Sequence, residues 1–81
     1  MRLDKYLKVS RIIKRRTVAA EACTAGRVEV NGKTAKPALE INVGDTIKIR
    51  FGNKVSMFKV LEVKETVRKE EAGAMYEVIE A

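Results

Sequence analysis

Apolar residues recur at two spacings along this chain, and the change of spacing divides it. Leu3, Tyr6 and Leu7 fall three and four apart, so a helix would gather them on one side, with Arg2, Lys5, Lys8 and Arg11 turned to the other. That pattern predicts a helix from about Arg2 to Val9 or Ser10, broken at Ser10-Arg11 before Ile12 and Ile13. A helix of roughly two to three turns is marginal alone in water, so packing must hold it. Thr17 is the expected N-cap of a second helix, its hydroxyl able to accept from a free backbone N–H. Val18 to Ala25 form its body and Gly26 ends it. Ala19, Ala20 and Ala22 would let another backbone approach closely.

After Gly26 the period changes to two. Val28 and Val30 alternate with Arg27 and Glu29, Asn31-Gly32 is a tight hairpin turn, and Lys33 to Lys36 return. Pro37 to Val43 read as an irregular connector with apolar anchors, Gly44-Asp45 as a turn, and Thr46 to Arg50 as a strand with Ile47 and Ile49 inward. Gly52-Asn53 turns again into a longer strand from Val55 to Val63, partly apolar on both faces and so expected inside the sheet rather than at its edge. Lys64 to Ala74 read as an exposed loop or a frayed helical turn, and Met75 to Ile79 as the last strand. The expectation is one α+β domain over residues 1–81: two to three short helices packed on an antiparallel sheet of four to five strands, with the core motif in about the first 50 residues.

Charge changes this picture from architecture to chemistry. The net charge of +6 is unevenly placed, with ten bases against three acids in residues 1–36 and seven against eight in residues 37–81. Residues 2–16 alone hold seven bases and one acid, so the first half is built to meet a polyanion. Nucleic acid is favoured over a membrane, because the first half has neither Trp nor Phe to anchor in lipid. No apolar run is long enough to span a bilayer, and no signal-peptide core follows the basic start. With Cys23 as the single cysteine and no histidine, no internal disulfide and no common Cys/His metal set can form, which suggests a cytoplasmic protein without metal or cofactor.

The candidate contact residues are Arg2, Lys5, Lys8, Arg11, Lys14, Arg15, Arg16, Arg27, Lys33 and Lys36. The arginines weigh most, because a guanidinium meets phosphate with a planar fork. Lys14-Arg15-Arg16 are consecutive like charges just before the positive end of the second helix, so they also suggest an anion site. A single Lys such as Lys5 or Lys8 could equally be plain solvated surface, and Arg27, Lys33 and Lys36 could be protecting a sheet edge. Asn31-Gly32 serves the turn first. Tyr6 reads as a core aromatic with its hydroxyl at the rim, Cys23 as a small buried hydrophobe, and Asp4 and Glu21 as lone charges near helix N-termini. No catalytic pair, triad or phosphate-cradling glycine loop is present in the sequence, so a binding protein is expected rather than an enzyme.

Arg2-Leu3-Asp4-Lys5-Tyr6-Leu7, Lys14-Arg15-Arg16-Thr17, Gly26 to Lys33 and Val43-Gly44-Asp45 together resemble the S4 RNA-binding domain. The resemblance spans about residues 1–50 and implies a surface of two helices and a hairpin that binds structured RNA. Members attached to pseudouridine synthases or tyrosyl-tRNA synthetases carry a catalytic portion, whereas this chain is expected to stand alone. Its tail, Phe51 to Lys54 and Arg68 through Tyr76, resembles the small ribosome-quality-control branch of the family. The heat-shock branch has a longer, more basic C-terminal extension. The partners so implied are large-subunit ribosomal RNA, peptidyl-tRNA and the large ribosomal subunit with the tail-adding factor RqcH, bound by a monomer that supports alanine tailing of stalled chains. The alternatives are a heat-shock-type factor recycling large subunits, a duplex-DNA-binding module of helix-turn-helix form, and an accessory subunit of an RNA-modifying enzyme. Against DNA, Ala19, Ala20 and Ala22 offer little to read bases with.

Overall fold

The computed structural model describes residues 1–79. Two helices come first, α1 (Leu3–Val9) and α2 (Arg16–Thr24), followed by the strands β1 (Val28–Val30), β2 (Lys33–Thr34), β3 (Thr46–Phe51), β4 (Lys54–Val60) and β5 (Tyr76–Ile79), with a 3-10 helix at Lys69–Met75 leading into β5. The strands form one antiparallel sheet in the order β2-β1-β3-β4-β5. The α+β reading therefore holds.

Cross-strand partners share a face of a sheet, so the register identifies the core side. Val28 pairs with Ile49, Val30 with Ile47, Ile47 with Phe58 and Val60 with Tyr76. Val28, Ile47, Ile49 and Val60 are fully buried, and they join Leu3, Tyr6 and Leu7 of α1 and Ala19 and Cys23 of α2 in one core. The Phe58 and Tyr76 rings close it at one end, edge to face at 5.3 Å. Glu29, Lys48 and Met57 form a row on the other face.

The turns follow the expected chemistry. Asn31 and Gly32 take φ of 52° and 84°, the two positive values that a two-residue hairpin turn needs to match strand twist. The Asn31 side chain then serves the fold: its oxygen accepts from the Thr46 N–H at 3.0 Å and its amide donates to Asp45 at 3.1 Å.

Most boundaries fall within two residues of expectation, β5 beginning at Tyr76 rather than Met75, and three differences bear on the site. Helix α2 starts at Arg16, with Arg15 as an extended N-cap whose side chain makes no capping bond. Thr17 is thus inside the first turn rather than the cap, and the Arg16 side chain before it pairs with Asp4 at 3.5 Å. Strand β4 ends at Val60, short of Val63: the Leu61 N–H makes one more rung onto the Met75 carbonyl at 2.8 Å, and the Glu62 N–H then turns onto that same carbonyl at 3.1 Å, which takes it out of register. Of the two readings of Lys64 to Ala74, the helical turn holds for Lys69–Met75, and although most of the segment is exposed, Met75 is fully buried and Ala72 nearly so, so that it is anchored at its end. The Arg68 N–H bonded to Glu71 at 3.3 Å marks its start.

The Tyr6 hydroxyl also donates to the Met75 carbonyl, at 2.7 Å, and it is buried rather than at the rim. Burial accordingly pushes the phenol well above its ordinary range. Since this carbonyl keeps two backbone donors without Tyr6, we expect Tyr6→Phe to cost about 1 kcal/mol, the usual net worth of one hydrogen bond. Leu7→Ala should cost about 2–5 kcal/mol through the cavity it leaves. Urea unfolding with an unchanged slope would measure both.

Candidate nucleic-acid interface

The interface is assembled on α1, and α1 is held at its N-terminus by backbone from far along the chain. The free N–H groups of Leu3 and Asp4 donate to the carbonyls of Leu39 and Pro37 at 2.8 and 3.1 Å, and the Ile41 N–H donates to the Met1 carbonyl at 2.8 Å. The connector thus supplies the capping that Arg2, an extended N-cap without a side-chain bond, does not.

Asp4 is the centre of the charge arrangement. Its carboxylate is 4 % exposed, accepts from the Lys5 N–H at 2.8 Å, and takes both Arg2 Nε and Arg2 Nη2 at 3.2 Å in a fork. Arg16 Nε reaches the same carboxylate from α2 at 3.5 Å. So Asp4 is not a lone helix-end charge: it is a buried anchor on which two guanidiniums converge, one from the extended N-cap of α1 and one from the first turn of α2. Both remain about half exposed, at 53 % and 46 % of their side chains, and arginine has donors left over after pairing with one carboxylate. Those donors suit phosphate. The pair also explains a cation in the first turn of α2, where the helix dipole disfavours it by about 0.3–1 kcal/mol.

The remaining candidates fall into separate groups. Lys5 is hydrogen-bonded to Glu65, and this ammonium holds the Glu65 carboxyl below the usual carboxylate range. Lys8, Arg11 and Lys14 line a crevice between the C-terminal end of α1 and residues 65–69, whose far side carries Lys69. Lys33 and Lys36 line a different groove, beside the hairpin, together with Glu40 and Asp45. Arg15 and Arg27 are exposed. Arg2 and Arg16 are therefore joined directly, Lys8, Arg11 and Lys14 share the crevice, and Lys33 and Lys36 line a groove of their own.

Two contributors escape sequence reasoning. Residues 2 and 4 do not face each other on a helix, so only the extended conformation of Arg2 allows its fork on Asp4. Lys69 sits in a segment with nearly balanced charge, and its approach to α1 depends on the burial of Met75. Among the described residues, no helix is long and apolar enough to cross a membrane and no group of His, Cys, Asp or Glu is placed to hold a metal.

A short basic helix pair and a hairpin on an antiparallel sheet, with paired arginines held outward, define an RNA-binding module of α+β type. The family model that matches is that of the S4 domain, over residues 1–47, and the chain belongs to this family. It is 60% identical to the RQC P-site tRNA stabilizing factor of Streptococcus pneumoniae, over 98% of this chain and 90% of that one. The protein of the same name in Bacillus subtilis is 49% identical over 98% and 92%. Among solved structures, trimeric Heat Shock Protein 15 of Vibrio cholerae superposes with a TM-score of 0.90 at 30% identity, covering 98% of this chain and 81% of that one.

Two measurements test the geometry. Asp4→Asn should lower stability by about 1–2 kcal/mol, after allowance for screening of the half-exposed guanidiniums, read as a lower urea midpoint. Cys23 is buried in α2, and its thiol is pushed up to about 11, chiefly by burial and then by the Asp4 charge. A raised thiol pKa leaves less thiolate at any pH below it. Alkylation at neutral to mildly alkaline pH should therefore be on the order of 100-fold slower in the folded than in the unfolded protein, and rise only as pH nears the folded value.

Proposed function

We propose that this chain is a ribosome quality-control factor of the RqcP type. It binds the large ribosomal subunit that still carries peptidyl-tRNA and steadies that tRNA while the stalled chain is extended at its C-terminus with alanine, beside RqcH. It works in the cytoplasm, as a monomer, by binding rather than by making bonds. The observation that carries this reading is the Arg2–Asp4–Arg16 cluster, a pre-oriented pair of guanidiniums, in a chain 60% identical to a relative named for stabilizing P-site tRNA.

The physical route is simple. Because Asp4 fixes both guanidiniums before RNA arrives, little side-chain entropy is lost on binding, and each phosphate meets an oriented donor set. Arg15, Arg27, Lys33 and Lys36 add charge around this pair, and RNA is gripped by backbone and shape rather than read by sequence. The likeness to Heat Shock Protein 15 supports a second reading, a factor that recycles large subunits. The higher identity to the tRNA-stabilizing relatives favours the first.

Co-sedimentation with purified large subunits carrying peptidyl-tRNA tests it. Arg2→Glu and Arg16→Glu should each weaken binding by about tenfold or more at moderate salt, and binding should fall steeply with ionic strength as counterions are released. Unchanged co-sedimentation of both variants would falsify the assigned face. Displacement of ribosomal RNA by duplex DNA at equal nucleotide concentration would point to a DNA-binding module, and recovery of a catalytic subunit in place of RqcH to an accessory role.

A further inference from the structure

Helices α1 and α2 are each followed by a residue in the left-handed region, but the residue types differ. At the end of α2, Gly26 takes φ 77° while its N–H and that of Arg27 return to the Cys23 and Ala22 carbonyls, both at 3.0 Å. At the end of α1 the same left-handed position is held by Arg11, at φ 63°, with its N–H on the Lys8 carbonyl at 3.1 Å. Glycine is the unstrained choice there, and a β-carbon in this conformation costs about 1 kcal/mol. Arg11 thus sits at a position where it weakens the fold.

Arg11 opens onto the crevice between α1 and residues 65–69, a space of about 590 Å³ with Val9 and Val67 at its floor, both packed against the core. Its cations are Lys8, Arg11, Lys14 and Lys69, and among the described residues none of the four has an ion-pair partner within 4.0 Å. The one carboxylate on the lining, Glu65, is taken by Lys5. Lys8 also complements the negative end of α1, but Lys14 and Lys69 lie outside that helix. With no aromatic ring on its lining, the crevice has no platform for stacking a base, so it fits sugar and phosphate.

We propose that this crevice is a second RNA-backbone site, separate from the Arg2–Arg16 pair and completed by residues 65–69, which lie beyond the part matched by the S4 model. Phosphates sit among Lys8, Arg11, Lys14 and Lys69, and a ribose rests on Val9 and Val67. The Lys5–Glu65 contact ties residue 65 to α1 and so holds the far wall in place. This rests on the proposed RNA-binding function and extends it to a two-point grip.

The test uses the full chain and purified large ribosomal subunits in a salt titration. The double variant Lys14→Gln/Lys69→Gln should bind about tenfold more weakly and lower the salt slope by about two, the number of phosphate contacts removed, with Lys14→Arg/Lys69→Arg restoring binding. An affinity and slope equal to the parent's would overturn the crevice while leaving the Arg16→Glu result to judge the main face. Arg11→Gly should raise the thermal midpoint and weaken binding; a raised midpoint with full binding would reduce Arg11 to a helix end and count against the site. A photo-crosslinker on Thr66→Cys, placed selectively because Cys23 is buried, should mark RNA. Crosslinks to ribosomal protein alone, or protection by free ATP at submillimolar concentration, would sink the RNA assignment in favour of a protein-docking surface or a free-nucleotide site.

Discussion

The Met75 carbonyl receives three donors, the Tyr6 hydroxyl and the N–H groups of Leu61 and Glu62, and the presentation of the basic surface depends on that convergence. Helix α1 has seven residues, too few to persist in water on its own. Its stability is tertiary. Burial of Leu3, Tyr6 and Leu7 contributes on the order of 2 kcal/mol each, and the Tyr6 hydroxyl fixes which way the buried stripe faces. Once that stripe is seated, Lys5 and Lys8 have only the opposite side left to occupy. The basic face follows from the apolar one.

Like charges concentrated on such a small body repel one another, and the fold offsets this unevenly. Where the Arg2 and Arg16 guanidiniums approach, a buried carboxylate lies between them. The buried Asp4 carboxylate has the Lys5 N–H, the Arg2 fork and Arg16 as partners, the pairing that burying such a group calls for. Where Lys8, Arg11, Lys14 and Lys69 approach, the described residues supply no such neutralisation, the one nearby carboxylate being held by Lys5. The first arrangement orients its cations, whereas the second leaves them in want of an anion. This difference separates the two surfaces more sharply than net charge does.

Much of this was legible from residue order, and the limits are physical. The three-and-four spacing of Leu3, Tyr6 and Leu7, the Asn31-Gly32 turn and the alternation around Ile47 and Ile49 are local signals, and each survives in the structure. The S4 resemblance drawn from motif order agrees with the matched family model. What was not legible depended on distance along the chain. Helix α2 begins at Arg16, whose partner Asp4 lies twelve residues earlier, and the register after Val60 is lost where Glu62 turns onto a carbonyl beyond the intervening 3-10 segment. The charged run before Met75 read as an exposed loop or a frayed helical turn, and nothing local announces that Ala72 and Met75 are buried.

That last point bears on where the module ends. The matched family region stops at residue 47, within β3, yet α1 is seated by contacts beyond it. Val60 and Met75 belong to the core that receives Leu3, Tyr6 and Leu7, and β4 and β5 complete the sheet. Glu65 adds a tie from outside, through Lys5. The C-terminal third is therefore part of the foundation for the N-terminal basic surface. A change in Met75 or its neighbours would re-aim the basic face without touching a single cation, because it would alter the angle at which α1 presents it.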